Sequence, residues 1–214
     1  MIRKVATMLA LLALMAPGVA AQELPALYRV VDVASDDVLN IRAGPTASAD
    51  IIDGLEPDAR HVVVSELNEA GTWGRVNRYE RSGWVFMRYM AREVQDPWHE
   101  LSQPLSCGGV EPGWLLDYGR DGSHIEYADF VFGEDRRTLS RDWAVPHRSS
   151  PLPRTAGFKA TGRDIELFAA VTGESCNDTM SDRDYGLSIT VSVRHTGDDT
   201  GATYRGCCSP APDR

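Results

Sequence analysis

The stretch that decides the fold of the first half of this chain is Asn40-Ile41-Arg42-Ala43-Gly44-Pro45. Aliphatic and polar residues alternate up to Arg42, which is the period of a short, half-buried strand. Gly44-Pro45 then ends this strand, because proline cannot continue a hydrogen-bonded ladder and glycine permits a sharp turn. Gly83-Trp84-Val85 follows later in the chain and predicts another strand of the same kind.

More strand-like runs lie between these two stretches, and turn-forming residues such as Pro57-Asp58 separate them. Many short strands with regular turn signals are typical of a barrel or a sandwich. The predicted runs are Ile51-Ile52, His61–Val64, Trp73–Val76 and Gly83–Phe86.

Residues Leu27 to Arg92 resemble the bacterial SH3 (SH3b) domain. The resemblance is carried by Asn40–Pro45, by Gly83-Trp84-Val85 and by Tyr89. The resemblance implies a small barrel, and by analogy a ligand among peptidoglycan stem peptides or other envelope polymers. Small barrels bind through a groove of aromatic and loop polar side chains. The alternative is that the tryptophans belong to the core and that Arg42 braces the following loop. The candidate ligand-binding residues are Asn40, Arg42, Trp73, Tyr79, Trp84 and Tyr89.

The start of the chain predicts export. Arg3 and Lys4 precede the apolar run Val5–Ala16, and small residues follow, which is the order of a secretory signal peptide cleaved after Ala21. The run is too short to span a bilayer and no later stretch is better suited, so we expect no transmembrane span after cleavage. The protein is expected in the periplasm or outside the cell.

The charge of the chain argues against nucleic acid as a partner. Loss of residues 1–21 removes two bases and no acid, so the formal net charge falls from −9 to −11. Phosphate binding requires a basic surface, and a surface this acidic would also be repelled from anionic lipid. Net charge also keeps an exported protein soluble, whatever its function.

The cysteines define a second unit. We expect a signal peptide over residues 1–21, an SH3b-like barrel over 22–93, a linker over 94–106 and a disulfide-linked β domain with a short C-terminal tail over 107–214. Cys207 and Cys208 are adjacent and would point to opposite faces of a strand, so each should pair with a different partner. Cys107 and Cys176 are those partners, in one of two arrangements, and two disulfides follow.

The strand pattern continues in this second unit. Leu187–Val193 alternates strictly between apolar and hydroxyl residues, and Ile165–Val171, Trp114–Tyr118 and Ile125–Phe132 are further strand-like runs. We predict an all-β protein, a small SH3-like barrel followed by an antiparallel β domain. Helix should be scarce, with one or two turns near Pro57 or Met180-Ser181-Asp182.

Three segments of the second unit together resemble a poorly characterised bacterial envelope domain. They are Cys107–Trp114, Cys176–Tyr185 and Tyr204–Cys208, with their Cys-Gly-x-x-Glu-Pro-x-Trp, Met-Ser-Asp and Gly-Cys-Cys motifs. The resemblance implies an envelope location and a disulfide-linked β-fold. The motif candidates are Glu111, Trp114, Asp182 and Arg183.

Each motif candidate has a catalytic or binding interpretation and a structural one. Glu111 held against an indole could act as an acid, or it could occupy a turn, and we favour the turn. Asp182-Arg183 is interpreted as a structural ion pair or loop cap. Trp98, in the predicted linker, is expected to pack across the interface between the domains.

The motifs of hydrolases are absent from the sequence. The Cys107 segment lacks the helix that would activate a catalytic thiol, and no serine elbow, zinc-binding pair or phosphate loop occurs. The five histidines are scattered singly and are expected to be structural or exposed. We expect no catalysis, cofactor or metal, and a partner that is peptidoglycan or an envelope protein. The alternatives are a cell-wall hydrolase, or hydrolase accessory, that uses carboxylates, and an exported inhibitor of another protein.

Overall fold

A computed structural model describes residues 23–129, 136–148 and 153–212. The predicted signal peptide therefore lies outside the described residues. Within them, nearly all regular structure is antiparallel β, as the sequence predicts. The strands are β1 (Ala26–Val30), β2 (Leu39–Arg42), β3 (Ile51–Leu55), β4 (Val62–Leu67), β5 (Trp73–Arg78), β6 (Arg81–Phe86), β7 (Met90–Arg92), β8 (Leu105–Val110), β9 (Gly113–Tyr118), β10 (Ile125–Asp129), β11 (Arg137–Val145), β12 (Thr155–Thr161), β13 (Ile165–Thr172), β14 (Leu187–His195) and β15 (Ala202–Pro210).

The first unit is a seven-stranded sheet in the order β3-β2-β6-β5-β4-β1-β7. Every one of its strands contributes to one buried cluster, so the sheet encloses a single small core. Gly83 allows β6 to cross β2 closely, because a Cβ atom there would lie 2.3 Å from Cγ2 of Ile41. The cluster contains Ala26, Tyr28, Val30, Leu39, Ile41, Leu55, Val64, Val76, Val85 and Met90.

The second unit is a closed barrel in the order β10-β11-β12-β13-β14-β15-β8-β9. The predicted alternation of β14 is confirmed, since Leu187, Ile189, Val191 and Val193 are all buried. These side chains fill the barrel, whose interior is therefore a packed core rather than an open channel. At Gly206 a Cβ atom would lie 2.1 Å from the Gly108 carbonyl oxygen, so glycine is required there.

The expected helical turns are wrong in position. Three short 3-10 turns occur within the described ranges, at Met87–Tyr89, Trp98–Glu100 and Arg120–Gly122. Pro57 and Met180–Asp182 instead lie in non-helical turns and bends, in which side-chain and backbone hydrogen bonds hold the chain. No strand-like run was predicted at β1, β7, β8, β11, β12 or most of β15. Residues 130–132 of the predicted run Ile125–Phe132 lie outside the described residues.

The connection between the units belongs to the second core. Trp98 is 3% exposed and Leu101 is 1% exposed, and both join the buried cluster of the barrel. Trp98 also meets the loop after β13, because a Cβ atom at Gly173 would lie 2.9 Å from its ring. Part of residues 94–106, the predicted linker, therefore packs on the core of the second unit through Trp98 and Leu101.

All four cysteines are paired, as predicted. The structure selects one of the two arrangements left open by the sequence, Cys107–Cys208 and Cys176–Cys207. Cys208 lies opposite Cys107 in the β15–β8 register, and both are buried in the barrel core. Its neighbour Cys207 lies on the opposite face of β15 and holds the loop between β13 and β14.

No helix of the described ranges is both long and apolar enough to cross a membrane.

The disulfide arrangement predicts which double variants keep a bond. Cys107→Ser/Cys208→Ser should retain Cys176–Cys207 and give no free thiol, whereas Cys107→Ser/Cys207→Ser should give two, because Cys176 and Cys208 lie on opposite sides of β15. Thiol titration of the denatured proteins after periplasmic expression measures this. The chain-entropy model also predicts that Cys107→Ser/Cys208→Ser loses about 4 to 5 kcal/mol of unfolding free energy, since the disulfide that it removes joins residues 101 positions apart.

Two free thiols in Cys107→Ser/Cys208→Ser, or none in Cys107→Ser/Cys207→Ser, would show that the cysteines pair differently.

Candidate functional site

One outer face of the first unit gathers most of the residues that the sequence singled out. The inward residues of β2 are buried, so Asn40 and Arg42 point outward. Arg42 pairs with Trp84 of β6, and Trp84 pairs with Arg75 of β5. Because alternate residues of neighbouring strands share a face, these side chains form one continuous surface.

A groove of about 530 Å³ lies beside this surface, between the loops that precede and follow β2. Its aromatic wall is formed by Trp73, Phe86 and Tyr89. The ring centroids of Trp73 and Phe86 are 5.3 Å apart, and those of Phe86 and Tyr89 are 6.2 Å apart. The other lining residues are Asp32, Val33, Ala34, Asp37, Val38, Leu39, Asn40, Arg42, Pro45, Thr46 and Ala47.

Arg42 has the bracing role that the alternative interpretation gave it. Its Nη1 donates a hydrogen bond of 2.7 Å to the carbonyl oxygen of Ala49, at the end of the loop after β2. The guanidinium therefore sets the position of one side of the groove while also lining it. A change at Arg42 would alter both the loop and the groove surface.

Four of the six predicted ligand-binding residues line this groove, and two do not. Trp84 lies beside it, with the guanidinium of Arg75 4.9 Å above its ring. Tyr79 lies at the turn between β5 and β6 and is 70% exposed, with the Arg78 guanidinium 4.7 Å from its ring. The six residues therefore do not form one site. Tyr79 lines a separate pocket.

Phe86 is the residue of the aromatic wall that the sequence did not single out. It lies two positions after Trp84 in the same strand, and directly opposite Trp73 in the β5–β6 register. The period of two therefore placed it on the same face, and that signal could have identified it. The acidic residues Asp32 and Asp37 lie in an irregular loop, where no periodicity indicates which side chains face a groove.

Two motif candidates of the second unit differ in their exposure to solvent. Glu111 is exposed in the turn between β8 and β9, while Trp114 is 1% exposed inside the barrel. No hydrogen bond within the described residues satisfies the Trp114 indole nitrogen, so none joins it to Glu111. Trp114 is a core residue and cannot contact an external ligand, which corrects its place among the candidates. Glu111 occupies the turn, which was the favoured interpretation.

The other two motif candidates connect the units. We name residues 173–186, between β13 and β14, the docking loop. Asp182 accepts a hydrogen bond of 2.9 Å from the Ser82 amide, and its own amide donates one of 2.9 Å to the Glu80 carbonyl oxygen. Arg183 Nε donates to the Tyr79 carbonyl oxygen. Asp182 and Arg183 therefore bind the β5–β6 hairpin, rather than forming the predicted ion pair or a cap within their own loop.

Asp184 extends this interface. The Asn77 side chain donates a hydrogen bond of 3.0 Å to the Asp184 carbonyl oxygen and accepts one of 3.1 Å from the Asp184 backbone amide. The side-chain amide of Asn77 thus makes the two hydrogen bonds that a paired β-strand residue would make. The Asp184 carboxylate also forms an ion pair with Arg75. Since Arg75 covers the ring of Trp84, the interface reaches the outer face that borders the groove.

Asp178 holds the docking loop in shape. Its carboxylate accepts hydrogen bonds from the amides of Met180 and Ser181, from the Ser181 hydroxyl and from the Tyr185 hydroxyl. Burial opposes ionisation of this carboxyl, but the hydrogen bonds from Ser181, Met180 and Tyr185 outweigh it and lower its pKa. Asp178, in the motif segment Cys176–Tyr185, therefore accepts the hydrogen bonds that organise this loop, a role that the sequence did not indicate.

A polar cluster stabilises the junction on its other side. His99 is 4% exposed, and its Nε2 lies 2.8 Å from Nη1 of Arg154. Glu23 contacts Arg154 at 2.6 Å and His99 at 3.4 Å. Burial lowers the pKa of His99, and Arg154 lowers it further, so the neutral imidazole accepts the arginine hydrogen bond. His99 is therefore a buried residue of the junction between the units.

In the part of the chain that the structure describes, no three acidic, histidine or cysteine side chains are grouped to hold a metal ion.

Residues 37–91 match the family model of the bacterial SH3 domain. This part of the chain, from the residues before β2 into β7, is therefore a bacterial SH3 domain. The match covers about a quarter of the chain and leaves out β1, which completes the same sheet by pairing with β4 and β7. No curated protein and no solved structure gave a significant match. The resemblance of the second unit to an envelope domain stays a prediction.

The hydrogen bonds of Asp178 predict how the docking loop responds to acid. The pKa of Asp178 is lowered in the folded protein, so its stabilising effect is present above the unfolded value near 4 and is lost as the pH falls through the folded pKa. Asp178→Asn should loosen the loop at neutral pH, by about 1 to 2 kcal/mol, because the amide accepts fewer hydrogen bonds.

Limited proteolysis within the docking loop, measured from pH 7 to pH 3, tests this expectation. Wild-type protein should resist cleavage until the pH falls below about 4, and Asp178→Asn should be cleaved faster throughout. Asp199→Asn, in an exposed turn, is the matched control. Equal cleavage of all three proteins at pH 7 would contradict the role of Asp178.

Proposed function

We propose that the protein is an exported, non-catalytic binding protein of the cell envelope, in which the bacterial SH3 groove docks onto peptidoglycan. The observation that supports this most directly is the aromatic groove of the SH3 unit. Trp73, Phe86 and Tyr89 offer large apolar area with few rotatable bonds, which is the usual composition of a recognition surface. The two disulfides support an oxidising compartment outside the cytoplasm.

The charges of the groove favour a ligand with an amino group. Asp32 and Asp37 line it together with a single arginine, Arg42, whose Nη1 is already bonded to Ala49. The groove therefore has an excess of negative charge beside an aromatic wall. Ammonium groups are attracted both to carboxylates and to aromatic faces. Stem peptides that carry a free amino group have the corresponding chemistry.

A pull-down on purified peptidoglycan sacculi tests the proposed function. Trp73→Ala and Phe86→Ala should each reduce bound protein about tenfold, because truncating an aromatic anchor at a binding surface costs of the order of 1 to 2 kcal/mol or more. Asp32→Asn should weaken binding by a smaller factor without altering the groove shape, since asparagine tolerates the positive φ of 57° at this position.

Trp143→Ala is the matched control, because Trp143 is a 46% exposed aromatic on the outer wall of the second barrel and away from the groove. Its binding should equal that of the wild type. Unchanged binding of both groove variants would reject the groove as the docking site. Release of soluble muropeptides that Glu111→Gln abolishes would reject the non-catalytic function and support the hydrolase alternative.

A further inference from the structure

We propose that the pocket between the β5–β6 hairpin and the docking loop binds an oxyanion, a phosphate or carboxylate group, which is held by arginines from both units. This pocket has a volume of about 550 Å³ and is separate from the aromatic groove. Arg78 and Arg81 enter it from the SH3 unit, and Arg183 enters it from the second unit. The proposal does not depend on the groove or on peptidoglycan.

The local charge is opposite to that of the protein. The whole chain has 31 acidic against 22 basic residues, whereas this pocket is lined by three arginines and two acids, Asp53 and Glu80. A positive site on an acidic surface concentrates anions locally, because the field near the pocket is set by the closest charges. The two acids offset part of this charge, and the excess of one arginine favours an anion as occupant.

The arginines keep most of their hydrogen-bond donors free. Arg81 is exposed on β6, and its guanidinium has no hydrogen bond or ion pair within the described residues. Arg78 lies over the Tyr79 ring and makes a long contact of 3.9 Å from Nε to Asp53. Its Nε is a buried donor without a hydrogen bond in the described part of the chain. An oxyanion accepts paired hydrogen bonds from guanidinium groups, in the geometry that arginine provides best.

The acids of the pocket leave most of these donors without a partner, since Asp53 reaches only Nε of Arg78 and at 3.9 Å. One carboxylate oxygen of Asp53 already accepts a hydrogen bond of 2.7 Å from the Gly54 amide. Glu80 is exposed at the tip of the hairpin, and none of the ion pairs within the described residues involves it. The pocket floor is apolar, with Ile41 and Ile52. An anion there would face little water on one side, which strengthens its interaction with the arginines.

The place of Arg183 links anion binding to the docking of the two units. Its Nε is fixed on the Tyr79 carbonyl oxygen, and its Nη1 lies 3.4 Å from the Tyr185 hydroxyl, so the remaining donors are presented to the pocket by the docking loop. A bound oxyanion would contact both the hairpin and the loop. By linkage, the anion would then stabilise the docked arrangement.

The test is calorimetric titration of the mature, disulfide-intact protein with inorganic phosphate and, separately, with acetate at constant ionic strength. We expect saturable binding of at least one of these oxyanions at a single site. Arg81→Gln should weaken it about tenfold, because it removes charge-assisted hydrogen bonds to the anion but no hydrogen bond or ion pair within the described residues. Arg183→Gln should also weaken it, which tests the contribution of the second unit.

Arg163→Gln is the control, since Arg163 is an exposed arginine in the turn between β12 and β13 and lies outside the pocket. It should bind like the wild type. A preference for phosphate would indicate a phosphate-bearing polymer or headgroup, and a preference for acetate would indicate a carboxylate-bearing one. The proposal is overturned if neither anion gives saturable binding, if Arg81→Gln binds as tightly as the wild type, or if Arg163→Gln loses as much affinity.

Discussion

The docking loop is the constraint on which the arrangement of this protein depends. It leaves the barrel after β13, is tied to β15 by Cys176–Cys207, and reaches across to the β5–β6 hairpin of the SH3 unit. Two backbone hydrogen bonds through Asp182 and two more between Asp184 and the Asn77 side chain join the units. At about 1 kcal/mol for each net hydrogen bond, the four together supply only about 4 kcal/mol. The disulfide matters because it removes conformational freedom that those bonds would otherwise have to restrict.

This arrangement explains why the SH3 unit and the barrel share surfaces rather than behave as independent modules. Arg75 simultaneously covers Trp84 and forms an ion pair with Asp184, so the outer face of the SH3 sheet is continuous with the interface. On the other side, Glu23 brings the start of the described chain against Arg154 and His99 of the second unit. A cavity of about 350 Å³ lies between these two contacts. The junction is therefore held at its two edges and is open between them.

The sequence predicted the parts of the fold that depend on local pattern. The period of two in Leu187–Val193 identified the half-buried strand β14. The Gly-Pro that follows Arg42 identified the end of another strand, β2. Both signals are properties of a few consecutive residues. β11 is one of the strands that were not predicted, since it carries a bulge between Arg141 and Trp143 that breaks the alternation. The choice between two disulfide arrangements also required the register of β15 against β8, which is a long-range property.

The sequence also predicted part of the candidate site. Asn40, Arg42 and Trp73 were found because small barrels bind through aromatic and loop polar side chains. Strand alternation would also have identified Phe86, which lies opposite Trp73. Tyr79 and Arg183 were found as separate candidates, but only the folded chain brings them into contact, 104 residues apart in sequence. The acidic residues of the groove and the donors around Asp178 lie in irregular loops. The loop around Asp178 is shaped by individual side-chain hydrogen bonds, which no periodic pattern in the sequence reports.

Hydrogen exchange at the amides of Ser82, Asp182 and Asp184 tests the central role of the docking loop most directly. These amides donate across the interface, to the Asp182 carbonyl, the Glu80 carbonyl and the Asn77 side chain. In the oxidised wild type they should be protected, and in Cys176→Ser/Cys207→Ser they should exchange faster while the Ile189 amide in β14 stays protected. Equally fast exchange of the three amides in both proteins, with the β14 amide protected, would show that the loop does not hold the two units together.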